Sequence, residues 1–270
     1  VYHKGEVKHM IAELVKAQRD YFASGKTWSY ASRRDALEKI YRLLLQYRKR
    51  FDDAFKADFN KGEFDVLSTE YYLVLEECQY HIKHLKKEMK PKRVSTSIVN
   101  FPSHGYLLQE PYGVCLIIAP WNYPFQLAME PLMGCIAAGN TALIKPASAA
   151  ANVSKVMFDM FEEFGNPGLI KVILGSHQEN ADLLDQRYDY IFFTGGASTG
   201  REILAKAAPN LTPCSLELGG KSPCIVDEDA VLTWLPGEPF GANSSMRGKP
   251  AWPQIISMFI RTFMMPISPR

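Results

Sequence analysis

One repeated pattern constrains the fold of this chain more than any other feature. From Gly113 to Leu218 a short apolar run, a turn and an amphipathic segment follow one another several times. Short apolar runs bounded by turn residues are typical of buried strands, and helical spacing of apolar residues predicts helices between them. The predicted strands are 114–118, 141–144, 170–174, 190–193 and 215–218. The predicted helices are 129–138, 154–164, 180–185 and 199–207. Such alternation predicts an α/β fold with a Rossmann-like parallel sheet.

The residues before this repeat predict a layer of helices. In residues 10–90, apolar side chains such as Leu37, Ile40 and Leu44 recur at helical spacing among charged ones. Ser32 and Asp35 have the placement of N-terminal caps for a second helix, and a third helix is expected over residues 66–89. Residues 1–9 are interpreted as an extension, because the first convincing helix opens at Met10. Residues 94–108 alternate enough to predict a strand hairpin, and the Rossmann-like domain is expected over residues 91–230.

Composition and charge exclude several classes of function. A net charge of +2 with 22% charged residues gives no basic field for nucleic acid. No apolar run has membrane-spanning length and the start has no signal-peptide core, so no membrane segment is expected. The five cysteines are scattered without a CxxC pair, which favours free thiols in a reducing compartment. We therefore expect a cytoplasmic location.

One helix face presents residues that metals favour. Cys78, His81 and His84 recur three residues apart. A metal site is conceivable, but no fourth ligand is indicated and neighbouring lysines would repel a cation. The favoured interpretation is an ordinary helix face without metal.

A candidate hydrogen-bond donor follows the first predicted strand of the sheet. Strand 114–118 runs into the turn 119–125, which holds prolines, aromatic residues and Asn122. An amide beside an apolar pocket can stabilise a developing oxyanion. A plain proline-bent loop explains the same residues equally well, and spacing alone does not separate the two.

Three further strand ends carry candidate binding or catalytic residues. Lys145 ends the second strand, where a lysine can reach a ribose hydroxyl or a phosphate. Gly195 and Gly200 precede or open a helix and would let the backbone approach a phosphate. Glu217 ends an apolar strand, where shielding from water would suit a general base. Each signal is weak alone, since the GxGxxG fingerprint is absent and solvated lysines and glutamates are common at strand ends.

Taken in order, the motifs PWNYPF, GNTALIKP, FFTGG and LELGGKSP are specific as a set. At these separations they resemble the aldehyde dehydrogenase superfamily. The segments AQRDYFASGKT and SRRDALEKIYRLL resemble its class 3, or fatty-aldehyde, branch. The resemblance covers about residues 10–230.

The resemblance implies a role for each matching residue. Asn122 would help to bind the oxyanion, and Glu217 would activate water to hydrolyse a thioester. The cofactor, NAD or NADP, would be bound by Trp121, Lys145, Gly195, Gly196 and Gly200. In this family a cysteine thiolate attacks the aldehyde and hydride passes to the nicotinamide. Class 3 enzymes are typically dimers, and no metal is implied.

Two departures from the family pattern stand out. Many relatives carry a glutamate just after Lys-Pro, where this chain has Ala147 and Ser148, so the choice between NAD and NADP stays open. The GQxC segment with the nucleophile is absent after LELGG, so the catalytic domain is expected to be missing. Neither Cys214 nor Cys224 is expected to replace the nucleophile, because thiols in strand-like runs are buried and inert by default.

Residues 231–270 have an aberrant composition. They hold six of the 17 prolines and four of the ten methionines, without helical or strand periodicity. A shifted reading frame would explain this tail, because the residues it forces, such as Ala from Trp252-Pro253, agree with a family-like string containing GQTC. The hypothesis requires one base lost near codons 229–231.

Three functions are therefore considered. The favoured one is an inactive fragment of an NAD(P)-dependent aldehyde dehydrogenase, in which aldehyde is a substrate only of the full-length form. The alternative is a non-catalytic nucleotide-binding or interaction protein whose tail binds a partner. An acyl-CoA or acyl-phosphate reductase shares the family fold, but it too needs the missing cysteine.

Overall fold

The computed structural model describes residues 4–221. Within this range the central feature is a five-stranded sheet in which all neighbouring strands are parallel. Its strands are β3 (Val114–Ile118), β4 (Thr141–Lys145), β5 (Ile170–Val172), β6 (Tyr190–Gly195) and β7 (Cys214–Leu218). Their spatial order is β5-β4-β3-β6-β7. The predicted α/β fold class is confirmed. Cys224 and the 231–270 tail lie outside the described residues.

Helices cover both faces of the sheet. They are α1 (Lys4–Ala23), α2 (Tyr30–Phe59), α3 (Glu63–Val66), α4 (Tyr72–Glu88), α5 (Gln126–Ala138), α6 (Ala151–Phe164), α7 (His177–Leu184) and α8 (Ala197–Ala207). On one face, α5 and α6 pack against the sheet and α2 and α4 pack on them. On the other face, α1 packs beside α7 and against β3 and β4, and α8 packs on β6 and β7. The N-terminal helices are thus divided between the two faces.

Alternation along the strands creates two cores. In β3, Ile117 packs into the cluster under α2, α5 and α6, whereas Leu116 and Ile118 pack into the cluster under α1, α7 and α8. Successive side chains of a strand point to opposite faces, so a strand covered by helices on both sides must be apolar throughout. All five residues of β3 and of β4 are buried accordingly.

The predicted hairpin is present outside the main sheet. Strands β1 (Lys92–Val94) and β2 (Gly105–Leu107) pair in antiparallel register. The segment between and beside them exposes Ile98, Val99 and Phe101. Three large apolar side chains so close together on the surface are unusual for a monomer.

The helix boundaries correct two sequence-based expectations. Helix α1 begins at Lys4, six residues before the predicted start at Met10. Ser29 caps α2 by accepting a hydrogen bond from the backbone N–H of Ser32, so neither Ser32 nor Asp35 is the cap. Ser32 fails as a cap because Tyr30 and Ala31 already lie in the helix, which periodicity alone does not reveal.

A buried arginine, Arg33 of α2, lies at the C-terminal end of α5. The guanidinium group of Arg33 donates hydrogen bonds to the backbone carbonyls of Thr27 and Ala137. Burial lowers the pKa of Arg33. The positive charge lies at the C-terminal end of α5, where the helix dipole favours a cation. Gly139 follows with φ of +91°, and a Cβ there would lie 2.5 Å from the guanidinium carbon.

We predict that Gly139→Ala destabilises the protein more than Gly165→Ala. Both glycines end helices in the left-handed region, where a side chain costs about 1–2 kcal/mol. Only at Gly139 must the new methyl displace Arg33, whose buried hydrogen bonds add about 2 kcal/mol or more. Urea unfolding of both variants measures the difference. Equal losses of unfolding free energy would contradict the packing role of Gly139.

Candidate functional site

A cavity of about 1060 Å³ lies at the carboxyl ends of the parallel strands. It opens where β3 and β6 are neighbours in the sheet, although β4 and β5 lie between them in the chain. At such a switch point the following loops diverge to opposite faces and leave a crevice, which is where open α/β sheets bind ligands. The residues after β3, β4, β6 and β7 line it.

The turn after β3 brings Trp121 and Asn122 to this cavity. Strand pairing fixes where the turn starts, because the N–H of Ala119 donates to the carbonyl of Lys145 at 3.1 Å. The side-chain oxygen of Asn122 is buried and has no hydrogen-bond partner among residues 4–221. A buried amide with unused capacity is costly unless a ligand satisfies it. The structure thus places an amide with unused hydrogen-bonding capacity at the cavity, and its role stays a prediction.

Lys145 lies opposite Ile118 in the sheet register and also lines the cavity. Only 2% of this residue is exposed, and its ammonium donates to the carbonyl of Pro146 at 2.8 Å. Burial lowers the pKa of Lys145, and the carboxylate of Glu179 opposes that effect. A lysine with one backbone acceptor keeps donors available for ligand oxygens.

The start of α8 forms an anion-binding edge. Gly196 is the N-cap of α8 and makes no side-chain cap, so the helix N-terminus is open toward the cavity. Unpaired N–H groups and the helix dipole attract a phosphate at such a position. A Cβ on Gly195 would lie 2.5 Å from the ring of Phe193, whereas one on Gly196 would meet nothing within 4 Å. Gly195 is required by packing, and Gly196 leaves space for a ligand.

Gly200 lies apart from this edge, and its predicted approach to a phosphate stays a prediction. It lies buried one turn inside α8 and does not line the cavity. A Cβ there would lie 3.1 Å from the side chain of Leu218 in β7. The residue therefore allows the close approach of helix and strand, a function that spacing in the sequence does not distinguish from phosphate binding.

Glu217 lines the cavity from β7, but its surroundings differ from those expected. The residue is exposed, because β7 is the outer strand of the described sheet. The apolar shielding that the sequence suggested is therefore absent among the described residues. Its position opposite Thr194 in β6 still places the carboxylate at the same end of the sheet as the other candidates.

Sequence reasoning missed three polar residues that line the cavity. Glu130 of α5 accepts a hydrogen bond from the side chain of Gln126 at 3.2 Å. Burial raises the pKa of Glu130, and the nearby Glu77 adds to the rise. Asn180 and Thr194 each have a buried side-chain oxygen with no hydrogen-bond partner in the described part of the chain. The i,i+4 pair of Gln126 and Glu130 was a usable signal on the helix leaving the turn, whereas nothing in the sequence marked the other two.

The histidines of α4 have local partners. His81 lies near Glu77 and Glu88, and His84 contacts the carbonyl of Tyr80. Cys78 is buried and its thiol faces the carbonyl of Leu37. Within the described range no three His, Cys, Asp or Glu side chains are arranged to hold a metal ion.

Three of the described thiols have a raised pKa. No cysteine lines the described part of the cavity. Burial raises the pKa of Cys78 to about 12 and also raises that of Cys214. The neighbouring Cys135 thiol, together with burial, raises the pKa of Cys115 well above its ordinary value. Since the thiolate is the nucleophile, these side chains are poorly reactive at neutral pH.

Comparison with known proteins decides the family. The model of the aldehyde dehydrogenase family matches residues 3–234. The chain belongs to this family. Among similar proteins, aldehyde dehydrogenase family 3 member I1, chloroplastic, of Arabidopsis thaliana is 43% identical over 221 residues, which are 82% of this chain and 40% of that protein. The dimeric NADP-preferring aldehyde dehydrogenase of Canis lupus familiaris is 38% identical, over 82% of this chain and 49% of its own length.

Solved structures of aldehyde dehydrogenases share the fold. The substrate-bound AldH of Staphylococcus aureus is 38% identical with a TM-score of 0.78, over 82% of this chain and 48% of that one. Betaine aldehyde dehydrogenase of the same organism, in complex with NAD+, is 27% identical with a TM-score of 0.73, over 84% and 45% respectively. The chain thus spans about half the length of the aldehyde dehydrogenases that it matches. In the described range, no helix combines the length and apolarity needed to cross a membrane.

We predict that native Cys78 and Cys115 resist alkylation. At pH 8, a thiol with a pKa of about 12 holds far less thiolate than an ordinary cysteine, so Cys78 should react on the order of a thousandfold more slowly. Iodoacetamide labelling followed by peptide mass mapping measures this, with the urea-unfolded chain as the control. Equal labelling of Cys78 in both states would show that the thiol is accessible and ionisable.

Proposed function

We propose that the cavity binds a nicotinamide nucleotide, NAD or NADP, as the cofactor-binding part of an aldehyde dehydrogenase. In the whole protein this reaction would oxidise an aldehyde to a carboxylic acid. The observation that carries the proposal is that residues from four separate strand ends line one cavity. They are Trp121, Asn122, Lys145, Gly195, Gly196 and Glu217.

The chemistry of the lining residues fits a dinucleotide. The open N-terminus of α8, with space at Gly196, would receive the pyrophosphate. Lys145 would donate to the adenosine ribose. Ala147 and Ser148 beside it are small and neutral, so no carboxylate from these positions would repel a 2′-phosphate. This is the reason to include NADP, and the name of the canine relative points the same way.

The two catalytic assignments follow from the same placement. The side-chain amide of Asn122 would donate a hydrogen bond to the oxyanion formed at the aldehyde carbon. Glu217 would take a proton from the water that releases the acid. The bound nucleotide would supply the hydride acceptor. We also propose that this chain turns over no aldehyde, because no described cysteine faces the cavity and the only other one is Cys224.

Self-association and location are parts of the same proposal. A relative is named as dimeric, and the β1–β2 segment exposes Ile98, Val99 and Phe101. We propose that this segment is covered by a second copy of the chain. The four described cysteines are free, which is consistent with the cytoplasm as the compartment.

Lys145→Met should weaken nucleotide binding about ten- to a hundredfold. The variant keeps the side-chain length but removes a charge-assisted hydrogen bond worth about 1.5–3 kcal/mol. Isothermal titration with NAD and with NADP measures both dissociation constants. Lys155→Met is the matched control, because Lys155 is an exposed lysine of α6 that pairs with Asp159 outside the cavity.

Unchanged affinity in Lys145→Met would remove this residue from the site. If the unaltered chain binds neither nucleotide, the cofactor role fails and the interaction-protein alternative becomes the better explanation. A lower affinity for NADP than for NAD by a hundredfold or more would refute the inference from Ala147 and Ser148.

Replacing Ile98 and Val99 together by serine should convert a dimer into a monomer. The substitution removes apolar surface from an exposed segment and buries nothing in the core, so folding should be retained. Light scattering coupled to gel filtration measures the mass of both proteins. A monomeric parent chain, or a variant that stays dimeric, would exclude this surface.

A further inference from the structure

A buried ion pair lies directly behind the turn that carries Trp121 and Asn122. The ammonium of Lys61 is 2.9 Å from the carboxylate of Glu70, and their side chains are 1% and 0% exposed. Neither residue lines the cavity. The family motifs used to assign the site do not include them.

Glu70 supplies the missing cap of α5. The residue at the N-cap position, Phe125, makes no side-chain cap. Instead the second carboxylate oxygen of Glu70 accepts hydrogen bonds from the backbone N–H groups of Phe125 and Gln126, at 3.3 and 3.0 Å. A carboxylate at a helix N-terminus satisfies free donors and interacts favourably with the dipole. The cap is therefore provided from a distant part of the chain.

Glu70 lies in a local distortion of the backbone that faces the N-terminus of α5. Leu67–Tyr71 forms a π-helical turn between α3 and α4. Consecutive residues Glu70 and Tyr71 are both buried there, and Tyr71 stacks on the ring of Phe125 with an interplanar angle of 8°. Single π-helical turns are uncommon and frequently accompany functional sites. Glu70 and Tyr71, two neighbouring residues of this turn, thus both contact Phe125.

Lys61 contacts the other side of the same turn. Its ammonium lies 4.9 Å from the ring centre of Tyr123 and also faces Phe55. Asn122 immediately precedes Tyr123, so the pair holds the chain just after it at two points, Tyr123 and Phe125. Both contacts therefore act on the chain within three residues of Asn122.

Stability alone does not account for such a pair. Burial raises the pKa of Glu70, while Lys61 and the two backbone donors oppose that rise. Replacing a buried ion pair by apolar residues of similar volume is often neutral or stabilising, whereas removing one partner is strongly destabilising. A buried pair at this location is therefore better explained by the turn that it contacts than by its contribution to stability.

We propose that Lys61 and Glu70 are positioning residues that hold Trp121 and Asn122 in the cleft. The part that concerns ligand affinity rests on the proposed nucleotide function. The part that concerns the turn does not, because the environment of Trp121 can be measured without any ligand.

The test uses the full chain labelled with 5-fluorotryptophan. Four tryptophan signals are expected in the fluorine NMR spectrum, and Trp121→Phe assigns the one of interest. Glu70→Gln keeps the volume but removes the charge, so the Trp121 signal should shift or broaden and NAD affinity should fall about tenfold. The double variant K61M/E70L removes both charges, so it should melt closer to the parent chain while still showing the altered signal.

Val15→Ala is the stability control. Val15 is buried on the opposite face of the sheet, so its truncation should lower the melting temperature without changing the Trp121 signal or NAD affinity. Positioning is refuted if Glu70→Gln and K61M/E70L lower stability yet leave the Trp121 signal and the affinity as in the parent chain. If Glu70→Gln does not fold, the Trp121 signal and the NAD affinity of K61M/E70L alone test the positioning role. Failure of the parent chain to bind NAD refutes the proposed function, and the Trp121 signal then still decides the positioning role.

Discussion

Parallel pairing in a common register is the constraint on which the rest of this structure depends. Ile118 of β3 lies opposite both Lys145 of β4 and Phe193 of β6, so these strands end at one level. Everything chemically useful follows from that alignment, because the turns after the strands then open at the same edge. The divergence of the chain on either side of β3 leaves the cavity between those turns. No loop has to be long or unusual to create the site.

The sequence predicted what depends on local pattern. The strands of the sheet were found because burial on two faces requires unbroken apolar runs, and because turn residues interrupt them, whereas the hairpin was found from alternation over residues 94–108. The same reasoning placed Asn122, Lys145 and Gly195 at strand ends, and the structure brings them to one cavity. Their roles within it stay predictions.

Several of the omissions concern contacts between distant residues, whereas the start of α1 and the cap of α2 were misplaced by a few residues. The close approach of Gly200 to Leu218 on the following strand was not anticipated. Glu217 was expected in apolar surroundings that no described residue provides. The cap of α5 comes from Glu70, 55 positions before Phe125, and no periodicity connects the two. Tertiary packing decides such pairs, and a single sequence records the residue types but not which of them meet.

The division of the N-terminal helices between the two faces also has a consequence for synthesis. Gln18 of α1 donates to the carbonyl of Ala142, a partner that lies 124 positions later in the chain. At translation rates of about 5–20 residues per second, the first helix waits roughly 6–25 seconds before that strand exists. During this interval α1 lacks β4, one of the strands that it packs against, although α2 and α4 have both been synthesised and can pack together. The packing of α1 on the finished sheet is therefore completed only after β4 has emerged.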